Sequence, residues 1–222
     1  MDHGRAQQLE TPEQELEALK NWWKENGRTL VVGVAIGLGG VFGWTWWQDH
    51  LRGQAEEASQ IYQRVVEDAG ANRHDAVRVQ AAAIVRSYPK TGYAALASLL
   101  AAKSAFAEND FEDAKRQLEW VIDNADSASF RDLARLRLAR ILIDEDKLDQ
   151  ATSVVESVEQ EAFRASASEI RGDIQITRGD AQGARDAYLQ ALASGAISGP
   201  ARSRVQMKLD DLGGGHADNV PG

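Results

Sequence analysis

Few side chains in this 222-residue sequence are placed to do covalent or metal chemistry. The four histidines, His3, His50, His74 and His216, are too scattered to form an HExxH or similar ligand set and read as solvated surface residues. There is no cysteine, which excludes thiol redox chemistry, a disulfide scaffold and cysteine-ligated metal. No GxSxG elbow occurs. The carboxylates are interspersed with cations, as on ordinary helix surfaces. The segment Gly37-Leu38-Gly39-Gly40 looks like a nucleotide-binding loop, but it sits inside an apolar run with no strand before it. With a net charge of −9 and no basic stripe, nucleic acid is not an expected partner. No active site, cofactor or metal is expected, so what chemistry there is must be the chemistry of association.

Two sets of residues could carry association. The first is glycine. Gly33 and Gly37, then Gly39 and Gly43, have the GxxxG spacing that lets two helix backbones approach closely in lipid, although glycine is also simply common in membrane helices. They lie in Thr29 to Gln48, a twenty-residue stretch without a charge in a chain that is 27% charged. As a helix that stretch covers about 30 Å, the thickness of a bilayer's hydrocarbon core. Trp22, Trp23, Trp44, Trp46 and Trp47 bracket it at headgroup depth, so the lipid bilayer is itself a partner. A cleaved signal peptide is the rival reading. Its apolar part would be shorter, about 7 to 15 residues, and would end at a small-x-small site rather than in tryptophans. Lys20, Lys24 and Arg28 precede the span and only Arg52 closely follows it, which places the N-terminus in the cytoplasm.

The second set lies beyond the span, in an all-α region rich in Ala, Leu, Glu, Arg and Gln. Three segments align on an alanine after an acidic turn: Asn109 to Ala114, Asp146 to Ala151 and Gly179 to Ala184. Twelve residues before each alanine stands a small residue (Ala102, Ala139, Gly172), and four after it a bulky one (Leu118, Val155, Tyr188). This is the tetratricopeptide pattern of paired helices. The small residues fall where two helices meet, and the bulky one fills the gap beside them. The prolines expected to close the units are replaced by Asp126, Phe163 and Ala196, so the repeats are degenerate. In such an array the first helix of each pair lines a concave face suited to peptides. That face is predicted to carry Leu96, Leu99, Lys103 and Phe106, then Leu133, Leu136, Arg140 and Ile143, then the more polar Ser166, Glu169, Asp173 and Ile176. A one-position error in register would turn Leu96, Leu99, Leu133 and Leu136 into ordinary core residues.

The expected order is a cytoplasmic segment 1–28, a transmembrane helix 29–48, a helical-hairpin solenoid 49–212 and a disordered tail 213–222. In the first segment Thr11 would cap a helix with Pro12 at its first position. An amphipathic stripe of Leu16, Leu19 and Trp23 would then end at Asn26-Gly27. Residues 54–69 and 73–87 should form a further helix pair, a candidate divergent repeat, stopped before Pro89. Pro200 should open a final helix whose Arg202, Arg204, Lys208, Asp210 and Asp211 form a solvated cap.

Several stretches resemble one family: Glu25 to Gly37, Gly43-Trp44, Gly92 to Leu99, Leu136 to Arg140, and Asp173 followed by Gly179-Asp180 and Gly183-Ala184-Arg185. Their order and spacing over nearly the whole chain are similar to the ancillary SecYEG translocon subunits (YfgM-type) of Gram-negative inner membranes. The resemblance implies a single-pass inner-membrane protein with a periplasmic tetratricopeptide-like domain. It would associate with the SecYEG translocon and with the membrane-anchored chaperone PpiD, assist newly exported polypeptides, and have no catalytic residues. The N-terminus here is longer and more acidic, and the glycine-rich tail is an addition. A scaffold for another envelope assembly complex would use the same solenoid surface and stays open as the alternative.

Overall fold

A computed structural model describes residues 12–195 and 197–214, and among these all regular structure is helical. The helices are α1 (Pro12–Gly70), α2 (His74–Ser87), α3 (Gly92–Ala107), α4 (Phe111–Asn124), α5 (Ala128–Asp144), α6 (Leu148–Glu156), α7 (Arg164–Thr177), α8 (Ala181–Ala193) and α9 (Gly199–Gly214), with a 3₁₀ turn at Glu161–Phe163. The chain divides into two compact units between Gly53 and Gln54.

In the first unit the apolar side chains of α1 face outward. Leu30, Val31, Val32, Ile36, Val41 and Phe42 are all exposed, so no protein core accounts for this run. The helix is long and apolar enough to cross a membrane. The break expected at Asn26-Gly27 is absent: α1 runs through both residues. Asn26 turns its side-chain amide back to donate to the Trp22 carbonyl at 3.1 Å, and the φ of Gly27 is not positive, so the left-handed geometry that ends helices at glycine is missing. Thr11 lies outside the described residues, as does the side chain of Leu19; Pro12 is the first helical residue described.

The second unit is a stack of helix hairpins. Every hairpin turn has one residue at positive φ: Asn72, Asn109, Asp146 and Gly179. The residue after each donates its N–H to a carbonyl five residues back (Arg73 to Asp68, Asp110 to Ala105, Lys147 to Leu142, Asp180 to Gln175, at 2.8–2.9 Å). This six-to-one bond closes the first helix and starts the second. Asp110 and Asp180 add side-chain caps on the N–H groups of Asp113 and Gly183.

The three aligned repeats are seen as read. Ala114, Ala151 and Ala184 have no exposed surface. Ala102, Ala139 and Gly172 are buried against them, with Leu118, Val155 and Tyr188 beside. The pair α1/α2 proves to be a fourth copy in the same register. Five residues after Asn72, Val77 occupies the alanine position, with Val65 twelve before it and Ala81 four after; all three are fully buried. α9 closes the stack, burying Val205 beside Tyr188, Ala191 and Ile197. The helix continues two residues beyond Leu212, so Gly213 and Gly214 belong to it, while 215–222, Ala196, His3 and His216 lie outside the described residues.

Candidate partner-binding surface

The first helices of the repeats, α3, α5 and α7, together with α9, enclose an open concavity of about 890 Å³. The sequence places four of its residues there: Lys103 and Phe106 from α3, Arg140 and Ile143 from α5. Phe106 is 45% exposed and is held edge-on to Phe111, ring centroids 5.4 Å apart. Glu169 and Asp173 of α7 also line it, whereas Ser166 and Ile176 do not.

Leu99 and Leu136 are a correction. They are 4% and 3% exposed and belong to the main core, with Leu133 packed against its edge and Leu96 half-buried. The cause is the seam between successive first helices: Arg137 of α5 donates to the Leu99 carbonyl of α3 at 3.3 Å, so the two helices touch at that level. The groove opens one turn further on, at Lys103 and Phe106. Leu99→Ser should therefore cost about 2–5 kcal/mol, as other truncations of buried leucine do, while Phe106→Ser should change stability by under about 1 kcal/mol. Thermal melts of the two variants check this; equal losses would mean that Phe106 is also core.

Residues not foreseen in the concavity are Ala102, Leu118, Arg137, Ile141 and Asp144, with Arg204 and Lys208 from α9. These last two were expected as a solvated cap, but they reach across to α7. Arg204 grips Glu169 with two hydrogen bonds, 2.7 and 2.8 Å, and the Lys208 amine lies 2.9 Å from Glu169 and 2.7 Å from Asp173. Asp173 also accepts from the Tyr188 hydroxyl at 2.8 Å. Burial pushes the Glu169 carboxyl up, but hydrogen bonds and charge from Arg204 and Lys208 outweigh it and hold it at about 2. Burial, then the bond to Asp173, raises Tyr188. Burial, then the nearby Arg140, lowers Arg137. The sequence signal for this cluster was the matching four-residue spacing of Glu169/Asp173 and Arg204/Lys208.

In α1, a side chain added at Gly33, Gly37, Gly39 or Gly43 would meet nothing within 4 Å. At about 100° per residue Gly33 and Gly37 share one face with Gly40, and Gly39 and Gly43 form a second face about 120° away. The four do not make a single stripe. His50 is exposed, as read, and stacks on Trp46 at 5.8 Å, whereas His74 is half-buried rather than solvated. Among the described residues no group of His, Cys, Asp or Glu could hold a metal ion.

Hairpin repeats with a concave lining of this kind define a tetratricopeptide-like protein, and residues 20–214 match the family described as tetratricopeptide repeat-like domain. The chain is 34% identical to the ancillary SecYEG translocon subunit of Haemophilus influenzae, over 90% of this chain and 97% of that one. It is 32% identical to the protein of the same name from Escherichia coli (91% and 97%) and 29% identical to that from Neisseria gonorrhoeae (90% and 96%). The chain belongs to the family of ancillary SecYEG translocon subunits. With its exposed apolar helix it is a membrane-anchored member of that family.

Proposed function

We propose that this protein is a non-catalytic accessory subunit of the SecYEG translocon, anchored by residues 29–48 with residues 1–28 in the cytoplasm and the solenoid, 49–212, in the periplasm. The solenoid docks partner proteins in the concavity, among them PpiD and newly exported polypeptides, and so assists export. The observation that carries this reading is near-full-length similarity to proteins named for that role, in a chain with a concavity of about 890 Å³ lined by apolar and charged side chains. The glycine faces of α1 offer a second contact, in lipid, where an uncovered backbone supports close helix packing.

A photoreactive residue at position 143, irradiated in native membranes and followed by mass spectrometry, tests the docking. Crosslinks to SecY, PpiD or exported chains support the proposal, and crosslinks only to outer-membrane assembly factors select the envelope-scaffold alternative. In spheroplasts, added protease should digest the region after residue 50 and spare the N-terminus; the reverse pattern overturns the orientation. Replacing Gly33 and Gly37 by Ile should weaken co-purification with a membrane partner, and unchanged co-purification would assign the contact to the solenoid alone.

A further inference from the structure

Ten of the twenty lysines and arginines between residues 54 and 214 are held in ion pairs among the described residues. Arg78 lies within 4 Å of Asp75, Glu108, Asp110 and Asp113, Lys115 sits between Glu112 and Glu145, and buried Asp132 holds Arg135. The concavity follows that pattern at one end only. Beside α9, Glu169 and Asp173 neutralise Arg204 and Lys208. At the α3–α5 end Lys103, Arg137 and Arg140 have no carboxylate within 4 Å among the described residues. Asp144 lines the same surface and has no ion pair of its own among the described residues. The lining thus carries five cations against three carboxylates, a surplus of two positive charges in a chain whose net charge is −9.

Arg137 and Arg140 stand three apart on one helix, so each repels the other, and burial of Arg137 lessens the water that would screen them. Beside them Phe106 and Ile143 present apolar surface over a floor of Leu118 and Ile141. Unpaired cations next to an accessible aromatic ring are suited to a ligand that brings carboxylates and an apolar side chain together. A nucleic acid or lipid headgroup would leave the apolar half uncovered, and the chain's negative charge repels a long polyanion.

On the reading that this concavity docks partners, we infer that its occupant is an acidic segment of a partner polypeptide. Its apolar side chain seats against Phe106 and Ile143, and its carboxylates are taken up by Lys103, Arg137 and Arg140. The α9 ion pairs close the far end and fix where the segment stops.

The full chain in nanodiscs of zwitterionic lipid, titrated with short fluorescent peptides, tests this. The peptides share a central Leu-Phe pair and are flanked by glutamates, by lysines or by serines. The glutamate peptide should bind roughly tenfold more tightly than the serine peptide, and the lysine peptide more weakly than either. The preference should disappear at about 1 M salt, where charges are screened beyond roughly 3 Å. Lys103→Glu with Arg140→Glu should reverse the order of the peptides, and Phe106→Ser should weaken the glutamate and serine peptides alike. Lys103 and Arg140 are exposed, so an unchanged melting curve separates this from unfolding. Equal binding of the three peptides, glutamate binding undiminished by the charge reversal, or displacement of the peptide by a single-stranded oligonucleotide would overturn the inference. If no peptide binds while crosslinks from position 143 persist, the preference for acidic segments fails and the docking reading stands. If those crosslinks are absent as well, both fail.

Discussion

Gly172→Ala is expected to destabilise the C-terminal end of the solenoid, although it adds a single methyl group. A Cβ at position 172 would collide with the Cδ1–Cε1–Cζ edge of the Tyr188 ring. The ring cannot swing away: it is 2% exposed, enclosed by Ala165, Ala184, Ala191 and Val205, and tethered through its hydroxyl to Asp173. Overpacking of this kind costs about 1–3 kcal/mol. For a folded unit of this size that lowers Tm by roughly 3–10 °C. The other repeats supply the compensating change. Where the small position holds Ala102 or Ala139, the facing residue is Leu118 or Val155, and the pairs are buried without conflict. Gly172→Ala combined with Tyr188→Leu should recover most of the loss, and Tyr188→Leu alone should leave a cavity. Melting curves of the two single variants and the double variant decide. If Gly172→Ala melts like the wild type, the repeat does not pair these positions by size.

That pairing was legible in the sequence because small and bulky residues recur at fixed offsets from an alanine, and packing between two helices constrains size more than identity. The same logic left the register of the α1/α2 hairpin unread, although its two helices were expected as a pair. Val77 stands where the others have alanine and Ala81 where they have a bulky side chain, so total volume is kept while the residue pattern is exchanged. What persists is the turn, Asn72 at positive φ followed by the six-to-one bond, and a single asparagine without the small-and-bulky pattern around it does not announce a repeat.

The concavity divides in a similar way. Lys103, Phe106, Arg140 and Ile143 were readable because the first helix of each pair must face inward, and a helical wheel then names the positions. Leu99 and Leu136 lie on the same stripe, but one turn nearer the seam between neighbouring helices, and a single-helix wheel has no knowledge of its neighbour. Glu169 and Asp173 lie about 35 residues from Arg204 and Lys208 along the chain. Each pair alone reads as solvated charge on a helix surface, and only the return of α9 to the concave side brings them together.

Replacing both Arg204 and Lys208 by Met should destabilise the solenoid by about 3–5 kcal/mol at neutral pH, the cost of leaving a buried carboxylate unpaired. Glu169 is 2% exposed, while the Arg204 and Lys208 side chains remain partly in water, so the penalty falls on the acid. The pH dependence identifies it. In the wild type the Glu169 carboxyl is held at about 2, below its ordinary 4.5. A depressed pKa of this kind stabilises the fold fully above the ordinary value and is lost as pH falls from about 4.5 towards 2. In the double variant the opposing cations are gone and burial alone remains, which raises the pKa above 4.5. The sign then inverts: the folded state binds a proton more readily than the unfolded one, and the deficit shrinks as pH falls from neutral towards 4.5. Adding Glu169→Met should remove the slope and restore most of the stability, since an apolar side chain of similar volume carries no charge to desolvate. Denaturant unfolding from pH 7 to 3 across the wild type, the double and the triple variant gives the three slopes. A double variant that keeps the wild-type slope, or loses less than about 1 kcal/mol, would show that Glu169 is solvated and that α9 is held by its apolar face at Val205 alone.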